Sequence, residues 1–324
     1  MTVRPRPDVP MQMQLDALKY ALRSPFLDRG KPDDAILLIG MGRSGTTWAA
    51  DIINYDRSCR VLFEPFFPAL VPEARGFKYI QYMRPTDDDP ILAAAAARIL
   101  AGRTRSRWVD KENKSILYRR RIIKDIRCNL MAGWLQAVAP RVPIVLVIRH
   151  PLQVAASWRK LEWGREALGQ RSDFAIITSQ HRLLEDFPVI GTIAGQINPD
   201  DFIDNVMFLW GVFHLVPFRH LRHNEYYRLF YEHLLTRPED ECAKLFTYLG
   251  KPYDWDQVRE TLGRESTTNF RNRDLAQDKN SLLDGWKKEF SETEIARAHE
   301  ILALFGLDGM YGADGMPAEQ AEAR

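Results

Sequence analysis

The sequence predicts an α/β fold in which a mainly parallel central sheet is flanked by helices. Two runs, Ala35–Gly40 and Pro143–Ile148, are continuous, apolar and rich in β-branched residues, the composition of strands buried on both faces. Helix-like stretches follow both runs, and this alternation builds parallel sheets with right-handed crossovers. The first run breaks at Gly40 and Gly42, where the backbone has conformations open to it that other residues resist.

The chain has 324 residues, 45% of them hydrophobic and 27% charged, enough to bury a large core. No Pro/Gly/Ser-rich linker divides it, so a single domain over 1–324 is expected, with an N-terminal extension over 1–30. The net charge of +2 gives no ground for a nucleic-acid partner. Cys59, Cys128 and Cys242 are far apart and in no metal spacing. Reduced cytoplasmic thiols are therefore expected, rather than disulfides or a metal. The stretch Met1–Pro10 reads as neither signal peptide nor anchor. No apolar run reaches the ~18 residues that a spanning helix needs, so a soluble, cytoplasmic protein is expected.

In chain order, Leu15–Leu22 has the pattern of a short helix, and Ala35–Gly40 is the first strand. The loop Met41–Gly45 follows, and Thr46–Asn54 reads as a helix. Unpaired amides and the positive end of the helix dipole converge there into an anion site. The spacing Gly40-x-x-x-x-Gly45 copies a phosphate-binding loop, but Thr46-Thr47 stands where Lys-Ser/Thr is expected. Arg43, inside the loop, is the cation instead. The glycine spacing alone suits an ordinary strand–loop–helix corner. Arg43, Ser44, Gly45, Thr46 and Thr47 together suit a diester-like anion.

Arg43-Ser-Gly-Thr-Thr-Trp48 resembles the 5′-phosphosulfate loop of sulfotransferases that use 3′-phosphoadenosine 5′-phosphosulfate (PAPS). The resemblance implies a sulfotransferase fold like that of P-loop NTPases and sulfuryl transfer of the 2.8.2 class. The product would be adenosine 3′,5′-bisphosphate (PAP), with no metal. It also implies that Arg43, Ser44, Gly45, Thr46, Thr47 and Trp48 bind the nucleotide.

Val61–Phe63 reads as a second strand with Glu64 at its carboxyl end, where open α/β sheets place their chemistry. A lone glutamate before proline also suits a solvated loop. Phe63-Glu64-Pro65 is similar to a segment of sugar sulfotransferases in which the carboxylate is a candidate base. Pro90–Leu100 looks helical, and Arg103–Arg107 reads as a basic surface patch. Arg121–Asp125 is a third strand, followed by a helix through Trp134. It resembles the Ile-Ile-Lys segment of cytosolic sulfotransferases, which makes Lys124 a site residue. Their catalytic histidine has no counterpart, since Asp125, Ile126 and Arg127 follow. Without the resemblance, Lys124 reads equally as an ion-pair partner.

Pro143–Ile148 ends in Arg149-His150-Pro151, and Leu152–Trp163 reads as a helix with proline near its first turn. Arg149 and Ser157, two helical turns apart, resemble the family's 3′-phosphate site, and bidentate guanidinium–phosphate geometry favours arginine there. Gly164–Asp200 has weak periodicity and reads as acceptor-binding loops or a lid. Phe202–Phe218 reads as a buried helix, Tyr226–Leu234 as a strand, and Asp240–Leu249 as an amphipathic helix stopped by Gly250. Tyr231 matches a family tyrosine near the nucleotide. Ser266–Phe270 and Lys279–Phe290 read as charged loops. Their resemblance to the family's closing motif puts Thr268 and Phe270 over the adenine. Lys279, Asn280 and Ser281 would then lie at the 3′-phosphate. Glu292–Phe305 is a terminal helix, and a frayed tail is expected from Asp308 through 324.

Together these motifs imply transfer of a sulfuryl group from PAPS to a hydroxyl of a saccharide or small molecule. Arg43 and the loop amides would stabilise the leaving phosphate, Lys124 would hold sulfuryl oxygens, and Glu64 would take the acceptor's proton. Two alternatives remain, a P-loop kinase or NTPase and a PAP-binding module without catalysis.

Overall fold

A computed structural model describes residue 28 and residues 30–31, 33–115, 117–163, 172–222, 225–263 and 279–318. The first half runs β1 (Ala35–Gly40), α1 (Thr46–Ile53), β2 (Cys59–Phe63), α2 (Pro90–Leu100), β3 (Arg120–Asp125), α3 (Ala132–Val138), β4 (Ile144–Ile148) and α4 (Pro151–Lys160). Three short helices follow, α5 (Asp173–Thr178), α6 (His181–Asp186) and α7 (Pro188–Ala194), and then the long α8 (Phe202–His220). The chain continues through β5 (Tyr226–Phe230), α9 (Tyr231–Thr236), α10 (Pro238–Tyr248), α11 (Trp255–Leu262), α12 (Lys279–Asp284) and α13 (Glu292–Leu304).

The strands form one parallel sheet in the order β2-β3-β1-β4-β5. The α/β class and the parallel sheet are as the apolar runs predict. Along β1 all six residues are buried, and alternate side chains face opposite layers. Leu37 and Ile39 join α3 and α8 in one core, while Ile36 and Leu38 join α1 and α10 in the other. The connection from β1 runs toward β2, and the one from β3 crosses back to β4. Strand order therefore reverses at β1, and the crevice beyond the carboxyl ends of β3, β1 and β4 is where such sheets bind ligands.

Several expectations are revised. The strand expected over Tyr226–Leu234 ends at Phe230, which pairs with Ile148 at the end of the β4 ladder. Tyr231 opens α9 instead, because the buried Glu232 carboxylate turns back to accept the His150 amide at 2.9 Å. The helix after Pro151 stops at Lys160. In the stretch read as loops, 172–200, three helices of six or seven residues form, too short for a periodic signal. Lys279–Ser281 are helical, not loop.

The tail is packed as far as Ala318, whose amide donates to Met310 O at 3.0 Å. Leu307 and Met310 are buried there, and the Tyr311 hydroxyl donates to Glu232 Oε2 at 3.1 Å. Two apolar anchors in a polar stretch are enough to hold it. The helix expected over Leu15–Leu22 and most of the extension 1–30 lie outside the described residues, as do 319–324.

Candidate active site

At the crevice the chain leaves β1 through a tight loop. A Cβ on Gly40 would lie 2.7 Å from Val147 O and 2.8 Å from Ser44 Oγ, so only glycine fits there. The Ser44 amide and hydroxyl both donate to Met41 O, at 3.1 and 2.7 Å. Arg43 and Gly45 take left-handed conformations, φ 73° and 98°. The first i→i−4 bond of α1 runs from Ala49 N to Gly45 O, and no side chain caps the helix start. The amides of Thr46, Thr47 and Trp48 therefore precede the helical ladder, a ready anion site.

Two arginines meet here, Arg43 within the loop and Arg149 facing it. Arg43 Nε donates to Ser157 Oγ of α4 at 3.0 Å, and Arg149 Nη1 donates to Arg43 O at 3.3 Å. Burial, then the neighbouring Arg149 charge, pull the Arg43 guanidinium below its usual range. Two like charges held together in this way are relieved by a bound anion. Among the described residues, the buried Arg149 Nε has no hydrogen-bond partner. Its guanidinium carbon lies 4.0 Å from the Tyr231 ring centroid, and Tyr231 lies 5.1 Å from Trp48. A Cβ on Gly45 would strike that tyrosine ring at 2.5 Å, so the aromatic pair and the phosphate loop pack as one unit.

His150, where the resembling motif usually has Asp, is buried and stacks on Trp286 at 4.7 Å. Burial first, then nearby cations, push its imidazole down to about 3, so it is neutral. Gln153 of α4 donates to Leu282 O at 2.5 Å, which fixes α12 against the helix that carries Ser157.

The second half of the site gathers at the ends of β2 and β3. Phe63 pairs with Lys124, and the Glu64 amide donates to Lys124 O at 2.7 Å. Glu64 has φ 45°, an unusual conformation for a side chain other than Asn or Asp. Its carboxylate is buried between Arg127 Nη1 at 2.5 Å and Lys124 Nζ at 3.5 Å. Burial pulls the Lys124 ammonium down, opposed by Glu64.

Asp125 is fully buried and accepts the amides of Phe66 and Arg127, at 2.9 and 2.8 Å. Burial pushes it up to about 6. Phe63, Phe67, Tyr79 and Trp108 form a chain of aromatic contacts with centroids 5.1–6.1 Å apart beside these charges.

Of the residues selected from sequence, Arg43, Ser44, Gly45, Thr46, Thr47, Trp48, Arg149, Ser157 and Tyr231 share one locus. Glu64 and Lys124 form an adjoining pair. Lys279, Asn280 and Ser281 are described only as backbone of α12, and Thr268 and Phe270 lie outside the described residues. Sequence reasoning missed Arg127, Tyr79 and Asp173, which interact with one another. It also missed Asp51, on α1 one turn past Thr47, which burial and then Glu112 push up to about 7. No linear motif marks these residues, because they meet only through the fold. Among the described residues no cluster of three His, Cys, Asp or Glu is placed to hold a metal. No described helix is long and apolar enough to cross a membrane.

Nodulation protein NoeE of Sinorhizobium fredii is 24% identical over 284 residues, an alignment covering 82% of this chain and 62% of that protein. The chain thus spans about three fifths of that relative. Among solved structures, the sulfotransferase domain from the curacin biosynthetic pathway aligns with a TM-score of 0.44 and 16% identity. That alignment covers 83% of this chain and 97% of that one. Mouse sulfotransferase SULT7A1 complexed with PAP aligns with a TM-score of 0.42 and 16% identity, covering 88% and 87%. The sulfotransferase domain family matches residues 33–303, most of the chain and all five strands, and the chain belongs to that family.

Proposed function

We propose that this enzyme transfers the sulfuryl group of PAPS to a hydroxyl of a saccharide or small-molecule acceptor and releases PAP. The observation that carries the reading is the convergence of Arg43, Arg149 and Ser157 beside an uncapped helix start. Uncapped amides and a guanidinium suit the 5′-phosphosulfate. Arg149, whose buried Nε–H has no acceptor among the described residues, suits a second phosphate. PAPS carries both anions, whereas ATP presents a single run of phosphates. The kinase or NTPase alternative also lacks the loop lysine, since Thr46 stands in its place.

Sulfuryl transfer passes in line between two oxygens and gathers charge on the leaving phosphate. Positioning and electrostatics then dominate, as in phosphoryl transfer. Arg43 and the amides of Thr46–Trp48 stabilise the leaving 5′-phosphate. Lys124, at the carboxyl end of β3, holds sulfuryl oxygens. Glu64 takes the acceptor's proton, and its pairing to Lys124 puts the base beside the cation that holds the sulfuryl oxygens. The chemistry calls for no metal. Three buried, unpaired cysteines suit a reducing cytoplasmic setting.

An acceptor screen that reads PAP release from PAPS tests the whole reading, and Glu64→Gln tests the base. That variant keeps the shape and removes the basicity, so PAP affinity is expected to hold while turnover falls roughly 10²–10⁴-fold. Near-normal turnover would remove Glu64 from the role. PAP binding without turnover in the native chain would favour the alternative of a non-catalytic module.

A further inference from the structure

The turn that carries Glu64 is held in a conformation it would not keep alone. Its φ of 45° is strained for a side chain of this kind, so its surroundings must hold it. Two clamps do so. The Asp125 carboxylate bridges the Phe66 and Arg127 amides, stapling the turn after β2 to the turn after β3. Arg127 closes the second clamp, with Nη1 on Glu64 Oε2 and its guanidinium carbon 4.2 Å from the Phe67 ring centroid. One planar group thereby fixes both the carboxylate and an aromatic ring of the same turn. Tyr79 backs it, 5.4 Å from ring centroid to guanidinium carbon.

A purely structural ion pair would satisfy the whole fork, yet among the described residues the buried Arg127 Nε has no hydrogen-bond partner. Buried donors are rarely left so unless a bound group completes them.

We infer that Arg127 is a positioning residue for the transfer reaction: it aims the Glu64 carboxylate, so that the oxygen facing Lys124 receives the acceptor's proton. This rests on the reading of Glu64 as base. Lysine at 127 would keep the charge but lose the fork and the stacking plane. The atoms balance simply: the acceptor O–H bond breaks, its proton goes to Glu64, and the acceptor oxygen bonds to sulfur as the sulfur–phosphate oxygen bond breaks.

A double-mutant cycle tests the inference. Wild type, Arg127→Ala, Glu64→Gln and the double variant are compared in turnover of radiolabelled PAPS, with water as the acceptor. The thermal shift given by PAP serves as a fold and binding control. Because Arg127→Ala leaves Glu64 buried with one cation fewer, Arg127→Lys provides a better-folding companion.

We expect Arg127→Ala to lower turnover at least tenfold while the PAP shift persists, and Arg127→Lys to recover part of that loss. Adding Arg127→Ala to Glu64→Gln should cost nothing further. Fully additive losses, or no recovery of turnover in Arg127→Lys, would overturn the role of Arg127 and leave Glu64 as base intact. Normal turnover in Glu64→Gln alone would overturn both.

Discussion

Arg149 holds three things in place at once. Its carbonyl accepts the Trp210 indole N–H at 3.0 Å, its Nη1 reaches the phosphate loop, and its guanidinium covers the Tyr231 ring. Truncating the side chain leaves the carbonyl bond and removes the other two. Arg149→Ala is therefore expected to fold and to lose PAP affinity far more than affinity for adenosine 5′-phosphate. Each charge-assisted hydrogen bond lost is worth on the order of 1.5–3 kcal/mol, tenfold or more in the dissociation constant. Titration calorimetry with the two nucleotides checks this, and equal losses would make Arg149 a support of the loop alone.

Among the elements, β2 and β3 carry buried charge at the ends opposite the site. Arg60 donates to Asp110 at 2.7 and 3.1 Å, and Arg121 to Asp28 at 2.8 and 2.9 Å, with all four side chains essentially inaccessible. Arg60 also donates to the carbonyls of Gly102 and Thr104, which fastens the connection after α2 to the sheet. Removing one partner of such a pair strands the other in a dry interior, at a cost of about 3–5 kcal/mol. Asp110→Ala should therefore lower the urea midpoint strongly. Arg141→Ala, which breaks an exposed pair to Asp33, should change stability by less than about 1 kcal/mol. Equal midpoints for the two variants would contradict this account of the β2–β3 base.

Over the whole molecule, two buried histidines set an acid limit on stability. Burial holds His150 down to about 3 and His214 down to about 4, against an ordinary value near 6.5. Above pH 6.5 both states are neutral and the contribution is complete. As pH falls below 6.5 the unfolded chain takes protons first, and stability is lost until the folded values are passed. The raised Asp51 and Asp125 act with the opposite sign over part of that window, so a variant comparison is needed. His150→Gln should flatten the fall in denaturation midpoint between pH 6.5 and 4, and an unchanged slope would remove His150 from the account.

The same scale explains what could be read in advance. The phosphate loop and Arg149-x₇-Ser157 are contiguous segments whose chemistry lies in local spacing, and β1 and β4 announce themselves by burial on both faces. Arg127 and Tyr79, by contrast, are 48 residues apart in number and meet through the fold, so neither stands out in the chain. The packed tail was hidden because Leu307, Met310 and Tyr311 are few among glycines and acids.

A site that takes two separated phosphates is tested by the thermal shift given by PAP against ADP at equal concentration. A ligand at a hundredfold its dissociation constant adds about 2.7 kcal/mol to the folded state, so a selective site separates the two clearly. The account predicts a larger rise in Tm with PAP, with the difference abolished in Arg149→Ala. Equal shifts from PAP and ADP in the native protein would contradict it.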